Sequence, residues 1–143
     1  MPNNKPVNAA FEKASKIFFW VAGAVTALGA LPMMLSPSAG LRLMTGLEYA
    51  GQTPQLSPIV GHWGIMVAGM GVLLFLSATN KQIRKTTVIF STLEKAYMVG
   101  GALYCFLIGA PYAGNYVVPL IGDSLMVIGG IWYLLQSRKL GQA

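Results

Sequence analysis

Residues 86–109 read TTVIFSTLEKAYMVGGALYCFLIG, and the middle of this stretch holds a contradiction. From 88 to 109 the chain is apolar over a length that crosses a bilayer, yet Glu94 and Lys95 stand side by side inside the run. A charge near the bilayer centre costs between about 3 and more than 10 kcal/mol. Partners must offset that cost, and within the chain only the other apolar runs can supply them.

Those runs lie at 17–35, 59–78 and 117–136. Each of the four holds about 20 residues, which at about 1.5 Å per residue matches a hydrocarbon core about 30 Å thick. The alternation of a membrane β-barrel is absent. The composition agrees: 55% of the 143 residues are hydrophobic, 10% are charged, and the mean hydropathy is +0.59. A soluble domain carries about 25% charged residues. The sequence therefore predicts an all-α membrane protein, a four-transmembrane-helix bundle in one domain.

The basic residues set the orientation. Lys5, Lys13 and Lys16 precede the first run, Lys81, Arg84 and Lys85 join the second to the third, and Arg138 and Lys139 follow the fourth. The opposite side carries Arg42 alone, so both termini are expected in the cytoplasm. Tyr49, Trp63, Tyr112 and Tyr116 fit the outer interface, Trp132 and Tyr133 the inner one. Residues 1–16 read as a cytoplasmic lead-in whose end, AAFEKASKIFFW, suits a short amphipathic segment on the membrane surface. A basic start before an apolar run also describes a signal peptide, but this run is longer than the usual signal core. Pro32 is expected to kink or end the first helix. Residues 36–58 form an outer loop, in which GLRLMTGLEYAG (40–51) predicts a short interfacial helix.

The net charge of +6 does not indicate nucleic acid, because the basic residues cluster at the ends of apolar runs. Cys105 is the single cysteine, so no disulfide forms within the chain and no zinc-type spacing exists. One histidine excludes a bis-histidine haem within one chain. No metal site is expected. Met66, Met70 and Met98 read as core filling.

The remaining polar residues are candidates for a site. Ser91, Glu94, Met98, Gly101 and Cys105 recur at spacings of three and four and are expected to share a face. Helix rise puts His62 about 5 Å and Asp123 about 9 Å below the outer interface, and Glu94 about 9 Å above the inner one. His62 and Asp123, flanked by Gly61 and Gly122, are thus expected to meet at the outer mouth of a pocket. Lys95 has three outlets: Asp123, Glu94, or snorkelling to the interface. The three charges also admit a purely structural role, neutralising one another.

The order HWGIMVAGMGVLLFL (62–76), basic turn, STLEKAY (91–97) and PLIGDSLMV (119–127) resembles the DoxX-like superfamily of small four-helix bacterial membrane proteins. Such families often carry an arginine early in the third helix, and Lys95 stands as its nearest counterpart. The resemblance implies a four-helix bundle in the bacterial inner membrane. Its members are linked to quinone-coupled sulfur oxidation, and related proteins act as partners or assembly factors. Three functions are therefore expected in turn. The first is an accessory or assembly subunit packed against a larger membrane complex. The second is a redox-linked protein that binds a quinone, with His62, Asp123 and Tyr104 donating to a quinone oxygen. The third is a proton-coupled transporter working as a dimer, with Glu94 as the titrating carboxylate. A quinone or a lipid is the expected ligand. The bilayer, other membrane subunits or a second copy are the expected partners.

Overall fold

A computed structural model describes residues 5–45, 56–110 and 113–141. These residues form α1 (Lys5–Leu35), α2 (Pro37–Thr45), α3 (Leu56–Ser77), α4 (Lys81–Leu107), a 3-10 turn (Ala113–Tyr116) and α5 (Val117–Lys139), with no strand among them. Three helical stretches are long and apolar enough to cross a membrane: Ala9–Leu35, Ser57–Ser77 and Ala113–Lys139. α4 has comparable length, but Lys81, Arg84, Lys85, Glu94 and Lys95 lower its hydropathy.

The lead-in is not a separate surface segment. Phe11, Ser15, Phe19, Ala22, Thr26, Ala30 and Met33 are buried at spacings of three and four, one unbroken stripe along α1. Pro32 does not end the helix; it lies in the last turn, where its carbonyl accepts from Ser36 N at 2.9 Å. α2 then turns back at once, with Gly40 against the backbone of Met33 and Pro32. The expected loop helix thus begins earlier, at Pro37; positions 46–51, with Tyr49, and Tyr112 lie outside the described residues.

The long helices alternate in direction. Gly23 meets Gly71 and Phe75, Ala27 meets Gly71, and Gly64 meets Met33 and Met34, so α1 and α3 run antiparallel. Lipid gives helices no hydrophobic drive to associate, so close backbone packing at small residues carries this seam. A Cβ on Gly23 would stand 2.7 Å from the Gly71 carbonyl oxygen. α4 and α5 are likewise antiparallel, with Gly130 against Thr92 and Asp123 beside Lys95.

The polarity is inverted relative to a water-soluble protein. α4 buries Arg84, Thr87, Ser91 and Lys95 and turns Phe90, Leu93, Leu103 and Leu107 outward. α1, α3 and α5 also expose valines, leucines and isoleucines along their length. A soluble monomer rarely presents so continuous an apolar surface, whereas acyl chains require one.

One cluster joins four helices at the basic end. Asn80 caps α4 by accepting from Gln82 N at 3.0 Å. One turn on, Arg84, 3% exposed, donates from Nε to the Ser77 carbonyl at 2.6 Å and from Nη2 to the Ala78 carbonyl at 2.7 Å. These carbonyls lie at the C-terminal end of α3, where the helix lacks its own partners and favours a cation. Nη1 and Nη2 grip the Glu12 carboxylate at 2.9 and 3.0 Å, and Lys81 reaches it at 3.2 Å. The guanidinium lies 5.4 Å from the centre of the Phe19 ring. Phe19 packs edge-on to Tyr133 of α5 at 5.1 Å, and Tyr133 stacks on Phe11 at 5.6 Å. Both ends of the described chain therefore share this end with the basic turn.

Two tests follow from this packing. Gly71→Ala lowers the melting temperature in detergent, because its Cβ meets the α1 backbone. Gly69→Ala, with nothing within 4 Å, leaves it unchanged or raises stability by up to about 1 kcal/mol. Arg84→Met costs about 3 kcal/mol by stranding Glu12 and two carbonyls. The double variant with Glu12→Gln costs less than the two single losses added together. Additive losses would show that the pair is not coupled.

A charged cleft between two helix pairs

α1 and α5 touch near the basic end, through Phe11 with Trp132 and Tyr133, Phe19 with Tyr133, and Phe18 against Gly129. Beyond these contacts a cleft of about 1090 Å³ lies between the α1–α3 pair and the α4–α5 pair. Val21, Val25, Ala30 and Met33 of α1, Trp63 and Val67 of α3, and Val118, Leu125 and Met126 of α5 make it apolar over its length. Gly29 and Gly122 also line it, and a Cβ on either would meet open space. Arg42, Asn115 and Tyr116 line it at the end away from the basic cluster.

Three charges interrupt the apolar wall at mid-length. Lys95 Nζ lies 3.4 Å from Asp123 Oδ1 and 3.6 Å from Glu94 Oε1. The lysine side chain is 9% exposed, that of Asp123 18% and that of Glu94 29%. All three line the cleft. Of its three outlets Lys95 thus takes two together, Asp123 and Glu94, and it does not snorkel. Counted from their outer ends, Lys95 is twelve residues from Leu107 and Asp123 six from Val117. That offset of about 9 Å of rise is covered by the long lysine side chain.

The inward face of α4 is rotated from the expected one. Arg84, Thr87, Val88, Ser91, Lys95 and Ala102 are buried, while Gly101 is exposed and Glu94 and Cys105 are half-buried. Lys95, not Glu94, is the deeply buried charge. Position 95 follows Ser91 by four and Arg84 by eleven, so it lies on their face.

The candidate residues do not all converge. Glu94, Lys95 and Asp123 meet in the cleft. His62 is exposed on α3, does not line the cleft, and has no hydrogen bond or ion pair with Asp123. Its neighbour Trp63 lines the cleft instead. Tyr104 is 62% exposed on the outer face of α4 and also lies away from it. Among the described residues no group of three or more His, Cys, Asp and Glu side chains is placed to hold a metal.

Hydropathy alone does not reveal the Glu12–Arg84 pair, because it places Arg84 in the basic turn and Glu12 in the lead-in. A signal for it exists. Arg84, Thr87, Ser91 and Lys95 form a polar stripe at helical spacing that extends the third run back to the basic turn. Comparison with family models, curated proteins and solved structures finds no match.

Proposed function

We propose that the chain is an integral membrane protein that takes a ligand from the lipid phase into the cleft and holds it at Lys95, Asp123 and Glu94. The carrying observation is that these charges face a cavity. Charges that only fixed packing would be enclosed by protein. Here two carboxylates and an ammonium border an apolar space of about 1090 Å³, at or above the size of a small-molecule site. The desolvation cost at such a position makes a functional role the default reading.

In this reading α4 is a fourth crossing, both termini are cytoplasmic, and the protein sits in a bacterial inner membrane. Support for the crossing comes from the length of α4, its antiparallel place between α3 and α5, and its apolar outer face. Support for the orientation comes from the basic residues at the shared end. The DoxX-like layout stays part of the proposal. Arg84, in the first turns of α4, is a better counterpart than Lys95 for the arginine early in the third crossing. For a quinone, Asp123 alone of the three expected donors lines the cleft, with Lys95 beside it, while His62 and Tyr104 lie away from it. The accessory-subunit reading keeps one supporting observation: a Cβ on Gly100 or Gly101 of α4 would meet nothing within 4 Å among the described residues, beside the exposed Tyr97.

Topology is tested with single cysteines in a Cys105→Ala background. An impermeant thiol reagent outside the cell labels positions 113–116 and not 81–85, and the reverse pattern would invert the protein.

The cleft is tested by equilibrium dialysis of protein in nanodiscs against decylubiquinone and tetraphenylphosphonium, with protein-free discs as reference. At least one probe binds saturably. Gly122→Leu, whose Cβ meets open space, projects an apolar side chain into the cleft and removes that binding at an unchanged melting temperature. Binding that survives Gly122→Leu would place the ligand elsewhere.

A further inference from the structure

We infer that the cleft selects a lipophilic cation: an amine or onium group carried on an apolar body. This deepens the preceding reading and rests on it. Glu94 and Asp123 bring two carboxylates to the cleft wall, and Lys95 brings one ammonium between them, at 3.6 and 3.4 Å. With both acids ionised, these three side chains carry one negative charge in excess, at mid-length of an apolar cleft where charges interact strongly.

Arg42, the other charged residue on the wall among the described residues, lines the far end with Asn115 and Tyr116. Tyr116 precedes Asp123 by seven positions, about 10 Å of rise. Arg42 thus lines the cleft about two turns of α5 from the group, and the ion pairs of Glu94 and Asp123 are with Lys95.

A bound cation completes the balance. A neutral ligand leaves the excess charge in place, and an anion adds to it. Glu94 is the acid that faces the ligand, being the more exposed of the two and the more distant from Lys95. The surrounding wall suits the rest of such a molecule. Trp63 and Trp132 line the cleft, and aromatic faces attract cations most strongly where water is excluded. The valines and methionines of α1 and α5 receive the apolar body.

The test compares two ions of nearly identical shape and opposite charge, tetraphenylphosphonium and tetraphenylborate, by dialysis against the full chain in nanodiscs. The expected result is saturable binding of the phosphonium at least about tenfold tighter than that of the borate. Glu94→Gln weakens phosphonium binding by about tenfold or more and leaves the borate unchanged or stronger. Where Glu94→Gln fails to fold, Asp123→Asn removes the same charge from the opposite wall and gives the same shift. Equal binding of the two ions, or a preference that survives the charge-removing variants, overturns the assignment. Saturable decylubiquinone binding with neither ion bound keeps the cleft as a site and rejects the cation. If no probe binds, the cleft is no site and both readings fall.

Discussion

The guanidinium of Arg84 is the point on which the helix arrangement depends. In lipid, apolar side chains gain nothing by leaving one apolar neighbour for another, so close packing and polar contacts must hold helices together. Arginine has five N–H donors in a rigid fork. The donors on Nε, Nη1 and Nη2 of Arg84 make four hydrogen bonds, two to the end of α3 and two to Glu12 of α1. Because Arg84 itself belongs to α4, one side chain ties three helices. Its contact with Phe19 leads on to Tyr133 and so to α5. The clamp is single-ended. α1 and α3 are also joined along their length by the Gly23–Gly71 and Gly64–Met33 contacts. α1 and α5 have no comparable seam beyond Gly129, and the cleft occupies the space this leaves.

Much of this was legible in the sequence, and what was hidden has a physical cause. Hydropathy locates helices by where the apolar run begins. α4 begins seven residues before its run, because Asn80 caps it and Lys81, Arg84 and Lys85 are already helical. Started at Val88, the helix shows a polar face through Glu94. Started at Lys81, the same helix shows Arg84, Thr87, Ser91 and Lys95 in line, and Glu94 falls to the side. The lead-in misled in the same way. Glu12 and Lys13 break the hydropathy of α1 without breaking its buried stripe, which continues from Phe19 through Ser15 to Phe11.

For the site, helix rise supplied depth but not direction. Depth set Glu94 and Lys95 about 12 Å nearer the inner face than Asp123, yet Lys95 Nζ reaches Asp123 at 3.4 Å. Depth also put His62 level with Asp123, but whether two residues at one depth meet depends on which way each helix faces. α3 turns Gly64 and Gly71 toward α1 because only glycine permits that approach. At about 100° per residue, His62 lies about 200° from Gly64, on the side away from α1 and the cleft. No single run of sequence contains that information; it comes from which neighbour the glycines admit.

The two ionic clusters differ in a way that separates holding the fold from holding a ligand. Glu12, Glu94 and Asp123 are the acids among the described residues, and each pairs with a cation of α4: Glu12 with Lys81 and Arg84, the other two with Lys95. At the basic end, Glu12 is matched by two cations, and the surplus is carried by Lys81, 69% exposed, where water can solvate it. Arg84 itself is closed in by carbonyls, a carboxylate and an aromatic ring, leaving no opening for another molecule. The Lys95 cluster has the reverse surplus in the reverse place. Its extra charge is negative, it lies along an apolar cleft, and its acids remain partly exposed to the cavity. A cluster that is saturated and wet at its surplus charge needs nothing more. One that is unbalanced along an apolar wall calls for a further group, and the cleft beside it has room for that group together with an apolar body.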